Sequence, residues 1–89
     1  MPKVIFAAHV QRHVRAPEVV VEGDTVRAVL DAVFAGNRLL RGYILDDQGH
    51  LRRHVVVFVD GVRVVDRVGL TERVAADSEV HVLQALTGG

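Results

Sequence analysis

The sequence predicts an α+β chain in two layers, a mixed sheet with one main helix laid across it. Three observations carry this. One segment, Val26 to Ala35, repeats its apolar residues at helical spacing. Short β-branched runs stand on both sides of it. The strongest of these, Val55 to Val59, is joined by Asp60-Gly61 to another apolar run, and Asp-Gly between apolar runs is a hairpin signal.

Val4 to Ala8 reads as the first strand, with Val4, Phe6 and Ala8 on one face by the period of two. His9 to Pro17 is basic and mixed; it either continues the strand or forms an exposed connection ending at Pro17. Glu18 to Glu22 is a second strand, with Val19 and Val21 on a common face, and a hairpin joins the two. Gly23-Asp24-Thr25 turns into a helix, where Asp24 or Thr25 can cap the free N–H groups. Val26, Val29, Leu30, Val33 and Phe34 form its apolar stripe. Gly36-Asn37 is a fair C-cap, since both residues tolerate positive φ.

Leu39-Leu40-Arg41 is expected to pack back as an irregular turn, and Gly42 to Leu45 to form a short strand. Asp46 to Gly49 is a turn by composition. Leu51-Arg52-Arg53 leads into the strand His54 to Val59, and Val62 to Val65 follows the Asp-Gly turn. Asp66 to Ala76 is a connection with a helical turn around Leu70 to Arg73. After the polar turn Asp77-Ser78-Glu79, Val80 to Leu86 is the closing strand. The order of main elements is β-β-α-β-β-β. One helix on one face of such a sheet makes a two-layer roll in which the last strand lies parallel to the first at the sheet centre. This is the plan of a β-grasp fold.

At 89 residues the chain is expected to be one domain, 1–89. Formal net charge is zero, which weighs against non-specific nucleic-acid binding. With no cysteine, disulfides, thiolate metal sites and a nucleophilic thiol are excluded. Met1-Pro2-Lys3 runs straight into an apolar strand, and no stretch approaches the roughly 20 apolar residues of a membrane span. A cytoplasmic location without a membrane partner is expected. There are ten Arg and one Lys, Lys3, so the chain is a poor acceptor for isopeptide bonds to its own copies.

His9 and His13 lie four apart, but neither HExxH nor HxH accompanies them, and all five histidines read as structural or solvated. No metal site is expected. Arg12, Arg15, Arg52, Arg53 and His54 read as a solvated face, or else as a docking patch for an acidic partner. Ser78, the sole serine, lies in a polar turn without a nucleophile motif. Val55 to Val59 is apolar on both faces, so it is either central or covered by a partner, and Phe58 is a candidate for that contact.

The chain closes on Thr87-Gly88-Gly89, directly after its final strand. Two glycines pass through a slot too narrow for other residues, and a terminal glycine leaves its carboxylate unhindered. Such a tail suits an enzyme that grips and modifies the C-terminus itself.

Together, Val55 to Gly61, Leu70-Thr71, Asp77 to Val80 and Leu83 to Gly89 resemble the ubiquitin-like sulfur carriers. These are MoaD/ThiS-like proteins, the small subunit of molybdopterin synthase and its relative in thiamine synthesis. The resemblance spans Val4 to Gly89 in element order and is motif-specific from Val55 onward. Asp77-Ser78 stands where the family usually has Gly-Asp, and Gln84 where members of the molybdenum pathway often have proline.

The resemblance implies that a ubiquitin-activating-like adenylyltransferase binds the sheet face and a flexible Gly-Gly tail. The Gly89 carboxylate attacks the α-phosphate of ATP, and a persulfide sulfur donor then displaces AMP to leave a terminal thiocarboxylate. An acceptor, such as a synthase subunit, takes the sulfur in cofactor biosynthesis (molybdopterin or thiamine), amino-acid biosynthesis or tRNA thiolation. Gly88, Thr87 and Leu86 are then the recognised tail, with Phe58 and Leu83 at the partner interface. The chain is a carrier rather than a catalyst and binds no cofactor; ATP and magnesium belong to the partner. The alternatives are a ubiquitin-like protein modifier and a non-carrier interaction module.

Overall fold

The computed structural model describes residues 1–85. Five strands form one sheet: β1 (Lys3–Phe6), β2 (Val19–Val20), β3 (Val55–Val59), β4 (Val62–Arg63) and β5 (Glu79–Gln84). Their order is β2-β1-β5-β3-β4. β1 and β5 run parallel at the centre, with Val4 opposite Val80 and Phe6 opposite Val82. β3 is antiparallel to β5 over its whole length, from Val55 opposite Gln84 to Val59 opposite Val80. The α+β β-grasp architecture is the one expected, with a parallel pair at the centre.

Alternation along the strands decides the two faces of the sheet. Val4, Phe6, Val55, Val57, Val80 and Val82 are buried and face the helices. α2 (Val26–Ala35) meets them with Val26, Val29, Leu30 and Phe34. Its bounds are those the periodicity predicts. Thr25 is the cap, its Oγ1 accepting the Ala28 N–H at 3.1 Å. Gly36 follows with φ of −102°, so the left-handed conformation expected there is not used.

Two helices fall where none was expected. α1 (Ala8–Gln11) turns the chain out of β1, because Val10 is fully buried and Gln11 Nε2 donates to the Phe6 carbonyl at 3.0 Å. α3 (Arg38–Ile44) replaces the irregular turn and short strand. Asn37 Oδ1 caps it by accepting from Leu40 N at 3.2 Å, and Leu40 and Ile44, four apart, bury one face. What remains of the expected strand is a single bridge from Leu45 to Leu51. The main order is therefore β-α-β-α-α-β-β-β.

The β3–β4 connection is the two-residue turn that Asp60-Gly61 predicts. Both residues have positive φ, 49° and 84°, as the right-handed twist of the flanking strands requires. The expected helical turn around Leu70 is instead an irregular loop in which Leu70 itself takes φ of 54° and is fully buried. Asp66 organises that loop. Its carboxylate accepts from Gly69 N at 2.8 Å, Thr71 N at 3.2 Å and the Thr71 hydroxyl at 2.6 Å.

Candidate functional site

The fold brings the closing strand to the sheet centre, where β1 pairs with it from Glu79 to Val82 and β3 from Val80 to Gln84, so the segment leading to the tail is held along β3. β5 ends at Gln84, and Ala85 N still donates to the His54 carbonyl at 2.7 Å. Leu86, Thr87, Gly88 and Gly89, the residues on which the tail expectation falls, lie outside the described residues.

The face of the sheet turned away from the helices carries the side chains that alternate with the core. Ile5, His81 and Phe58 lie in one cross-strand row, and Leu83 and Val56 in the next. All five are partly buried. Phe58 and Leu83, the two candidate interface residues, thus share one face as diagonal neighbours across β3 and β5. Lys3, Glu79 and Arg63 border the apolar centre. His81 Nε2 lies 3.9 Å from Glu79 Oε1, an exposed contact that contributes little by itself. An apolar centre inside a charged border is the anatomy of a protein-binding surface.

At the end of β5, on the core side, sits a cluster that sequence reasoning missed. Gln84 faces inward with Val80 and Val82, and Tyr43 of α3 donates its hydroxyl to Gln84 Oε1 at 2.5 Å. The Tyr43 ring stacks on His13, with centroids 5.3 Å apart and planes at 20°. It meets His54 edge-on at the same centroid separation. The only hint in the sequence was the helical spacing of Leu40 and Ile44, which puts Tyr43 on a helix rather than a strand.

The remaining candidates have structural roles. Arg52 Nε donates to the Gly42 carbonyl at 2.8 Å, so the basic run contributes one residue to packing and leaves Arg12, Arg15 and Arg53 exposed. Asp46 accepts backbone N–H groups from His50 and Gln48, which hold its carboxyl below the usual range, the His50 bond most. Asp60 is lowered first by the Glu79 N–H and then by the Ser78 hydroxyl. Asp66 is lowered to about 2, the Thr71 hydroxyl being the largest cause and the Gly69 N–H the next. Hydrogen bonds to the ionised form account for all three. Among the described residues no three metal-ligating side chains converge, and no helix is long and apolar enough to cross a membrane.

No family model and no curated protein matches the sequence. Solved structures do. SAMP1 from Haloferax volcanii is 26% identical with a TM-score of 0.76, over 99% of this chain and 98% of that one. CysO from Mycobacterium tuberculosis is 25% identical with a TM-score of 0.80, over 97% and 100%. CysO in the Amycolatopsis orientalis BexX/CysO complex reaches a TM-score of 0.81 at 22% identity, covering all of both chains. In fold and across its length, the chain is a β-grasp protein similar to the small ubiquitin-like proteins of the sulfur-carrier and modifier type.

Proposed function

We propose that this chain is a sulfur carrier activated at Gly89. The observation that carries the reading is the position of β5. This strand lies at the sheet centre, paired with β1 and β3, and the sequence that follows Gln84 closes on Gly88-Gly89 five residues later. The likeness to SAMP1 and CysO supports it.

In this reading a ubiquitin-activating-like adenylyltransferase docks on the face that carries Phe58 and Leu83 and takes the tail into a narrow channel. ATP and magnesium are bound by that partner. The Gly89 carboxylate attacks the α-phosphate, releasing pyrophosphate and forming an acyl-adenylate. A persulfide sulfur attacks the acyl carbon and AMP leaves. A thiol then attacks the donor-side sulfur of the resulting acyl disulfide, the S–S bond breaks as a new disulfide forms between thiol and donor, and the terminal thiocarboxylate is released as the nucleophile for an acceptor in cofactor, amino-acid or tRNA biosynthesis. The chain supplies no general acid or base to any of these steps. The Amycolatopsis CysO occurs in a complex with BexX, which supports a protein partner for this chain as well. The setting is cytoplasmic.

The test is the intact mass of the untagged protein from its host. One terminal oxygen replaced by sulfur, and lost when Gly89 is deleted, is the expected result. A terminus that stays unmodified with the host's activating enzyme, ATP and a persulfide donor present would overturn the reading. Mass ladders of the chain joined to target lysines would instead establish the modifier role, which shares the adenylation step.

A further inference from the structure

The ring cluster at the end of β5 joins the helical layer to the root of the tail. Tyr43 and Gln84 are 41 residues apart in sequence, and their 2.5 Å hydrogen bond links α3 to β5. The rings of His13 and His54 contact Tyr43 on two sides and limit where its hydroxyl can point. His54 contributes twice, since its carbonyl also accepts the Ala85 N–H at 2.7 Å. The scaffold beneath is itself tied down. Arg52 Nε holds the Gly42 carbonyl at 2.8 Å, next to Tyr43, and Asn37 Nδ2 donates to the Arg15 carbonyl at 2.8 Å, near His13. The last residue of the sheet and the residue after it are therefore each held by a separate bond, one from a side chain and one from the backbone.

We infer that Tyr43 is a positioning residue for the C-terminal tail, fixing Gln84 and Ala85 so that the following residues start from a constant frame. The inference rests on the reading of the chain as a carrier activated at Gly89. A fixed root lowers the conformational entropy lost when the tail enters a partner's channel. Its benefit is confined to capture. Once the tail is seated, adenylation of Gly89 proceeds as before, so loosening the root raises KM for the carrier and leaves kcat unchanged.

The experiment compares the full-length chain, free of any C-terminal tag, with Tyr43→Phe, Gln84→Leu and Gln84→Glu. Tyr43→Phe keeps both ring contacts and removes only the hydroxyl. Two readouts are taken: amide hydrogen exchange by NMR, and ATP–pyrophosphate exchange with the host's activating enzyme. The expected result for Tyr43→Phe and Gln84→Leu is faster exchange at Ala85 with the core amides of Val57 and Val82 unchanged. It is joined by a rise of about fivefold in KM at constant kcat, as befits one lost hydrogen bond. Gln84→Glu keeps an acceptor for the tyrosine hydroxyl and retains the wild-type KM. Unchanged KM and unchanged Ala85 exchange in Tyr43→Phe would overturn the positioning role while adenylation of the wild type leaves the carrier reading standing. A wild-type chain that is not adenylated at all would overturn both.

Discussion

Ser78 donates its hydroxyl to the Asp60 carboxylate at 2.7 Å, joining the start of β5 to the β3–β4 turn. The other Asp60 oxygen accepts Glu79 N at 2.9 Å, and Ser78 Oγ in turn accepts Ala75 N at 2.9 Å. Ser78 is 2% exposed, the one buried polar residue among the described residues. Two turns that read separately in the sequence thus form a single hydrogen-bonded unit at the end of the sheet opposite the tail. Ser78→Ala leaves the Ala75 N–H without its partner and frees Asp60 on one side. It is expected to destabilise the chain by about 1 kcal/mol, with no change in tail chemistry, as read by urea unfolding and intact mass.

The carboxyl of Asp66 has a folded pKa of about 2 against an ordinary 3.8, because four hydrogen bonds favour its ionised form. A carboxyl lowered in this way binds fewer protons folded than unfolded. Its stabilising effect is complete above about pH 4 and is lost as the pH falls through 3.8 towards 2. Asp60 and Asp46 are lowered too and act in the same direction. Asp66→Asn is expected to have lower stability than the wild type at neutral pH and a shallower loss between pH 4 and pH 2. Denaturant midpoints across that window check it, and parallel curves for the two proteins would refute it.

Gly42 sits inside α3, and a Cβ built there meets nothing within 4 Å. Glycine in a helix costs roughly 0.5–1 kcal/mol relative to alanine, through the freedom its backbone loses on folding. Gly42→Ala is therefore expected to stabilise the chain by about that amount. Its carbonyl remains available to Arg52. A raised Tm with an unchanged circular dichroism spectrum is the result to look for.

That same glycine explains why α3 was not legible in the sequence. Gly42, followed by the β-prone Tyr43, masks a helix of only seven residues whose stability comes from the Asn37 cap and two buried contacts. α2 was legible to the residue because ten positions carry one continuous stripe. The Asp60-Gly61 turn was legible because positive φ at two successive residues selects very few dipeptides. Leu70 was not, since its left-handed backbone is imposed by Asp66 and by burial rather than by its own preference. At the site, Phe58 was legible as a contact candidate because its strand is apolar on both faces, and Leu83 through the family resemblance, whereas their place on one face comes from the register of β3 and β5. The bond from Tyr43 to Gln84 was invisible, because it depends on which face of α3 meets the end of β5, and no local pattern encodes that.

The apolar centre formed by Ile5, Val56, Phe58, His81 and Leu83 is expected to be a contact surface and not a reserve of core. Phe58 and Leu83 are only partly buried, so a charge at either site can remain solvated in the free chain. Phe58→Glu and Leu83→Glu each bring a charge into the apolar centre and are expected to weaken binding to the activating enzyme about tenfold or more, the scale of a hot-spot residue, while shifting Tm by only a few degrees. Isothermal titration against the host enzyme, paired with thermal unfolding, separates the two effects. Collapse of the fold in both variants would show that these residues belong to the core.

The carboxylate of Gly89, rather than any side chain, is the reacting group in the proposed chemistry, so the length of the tail should matter more than its composition beyond the glycines. One alanine appended after Gly89 moves the carboxylate onward by one residue, about 3.3 Å, and places a methyl group where the channel was cut for hydrogen. Such a chain is expected to fold with wild-type stability, because the appended residue lies six positions beyond Gln84, the last residue of β5. It is expected to bind the activating enzyme through the sheet face and to form no adenylate. It should also compete with the wild-type chain for activation. Pyrophosphate exchange in a mixture of the two measures that competition, and an extended chain that is itself adenylated and sulfurated would show that the terminus is not read by position.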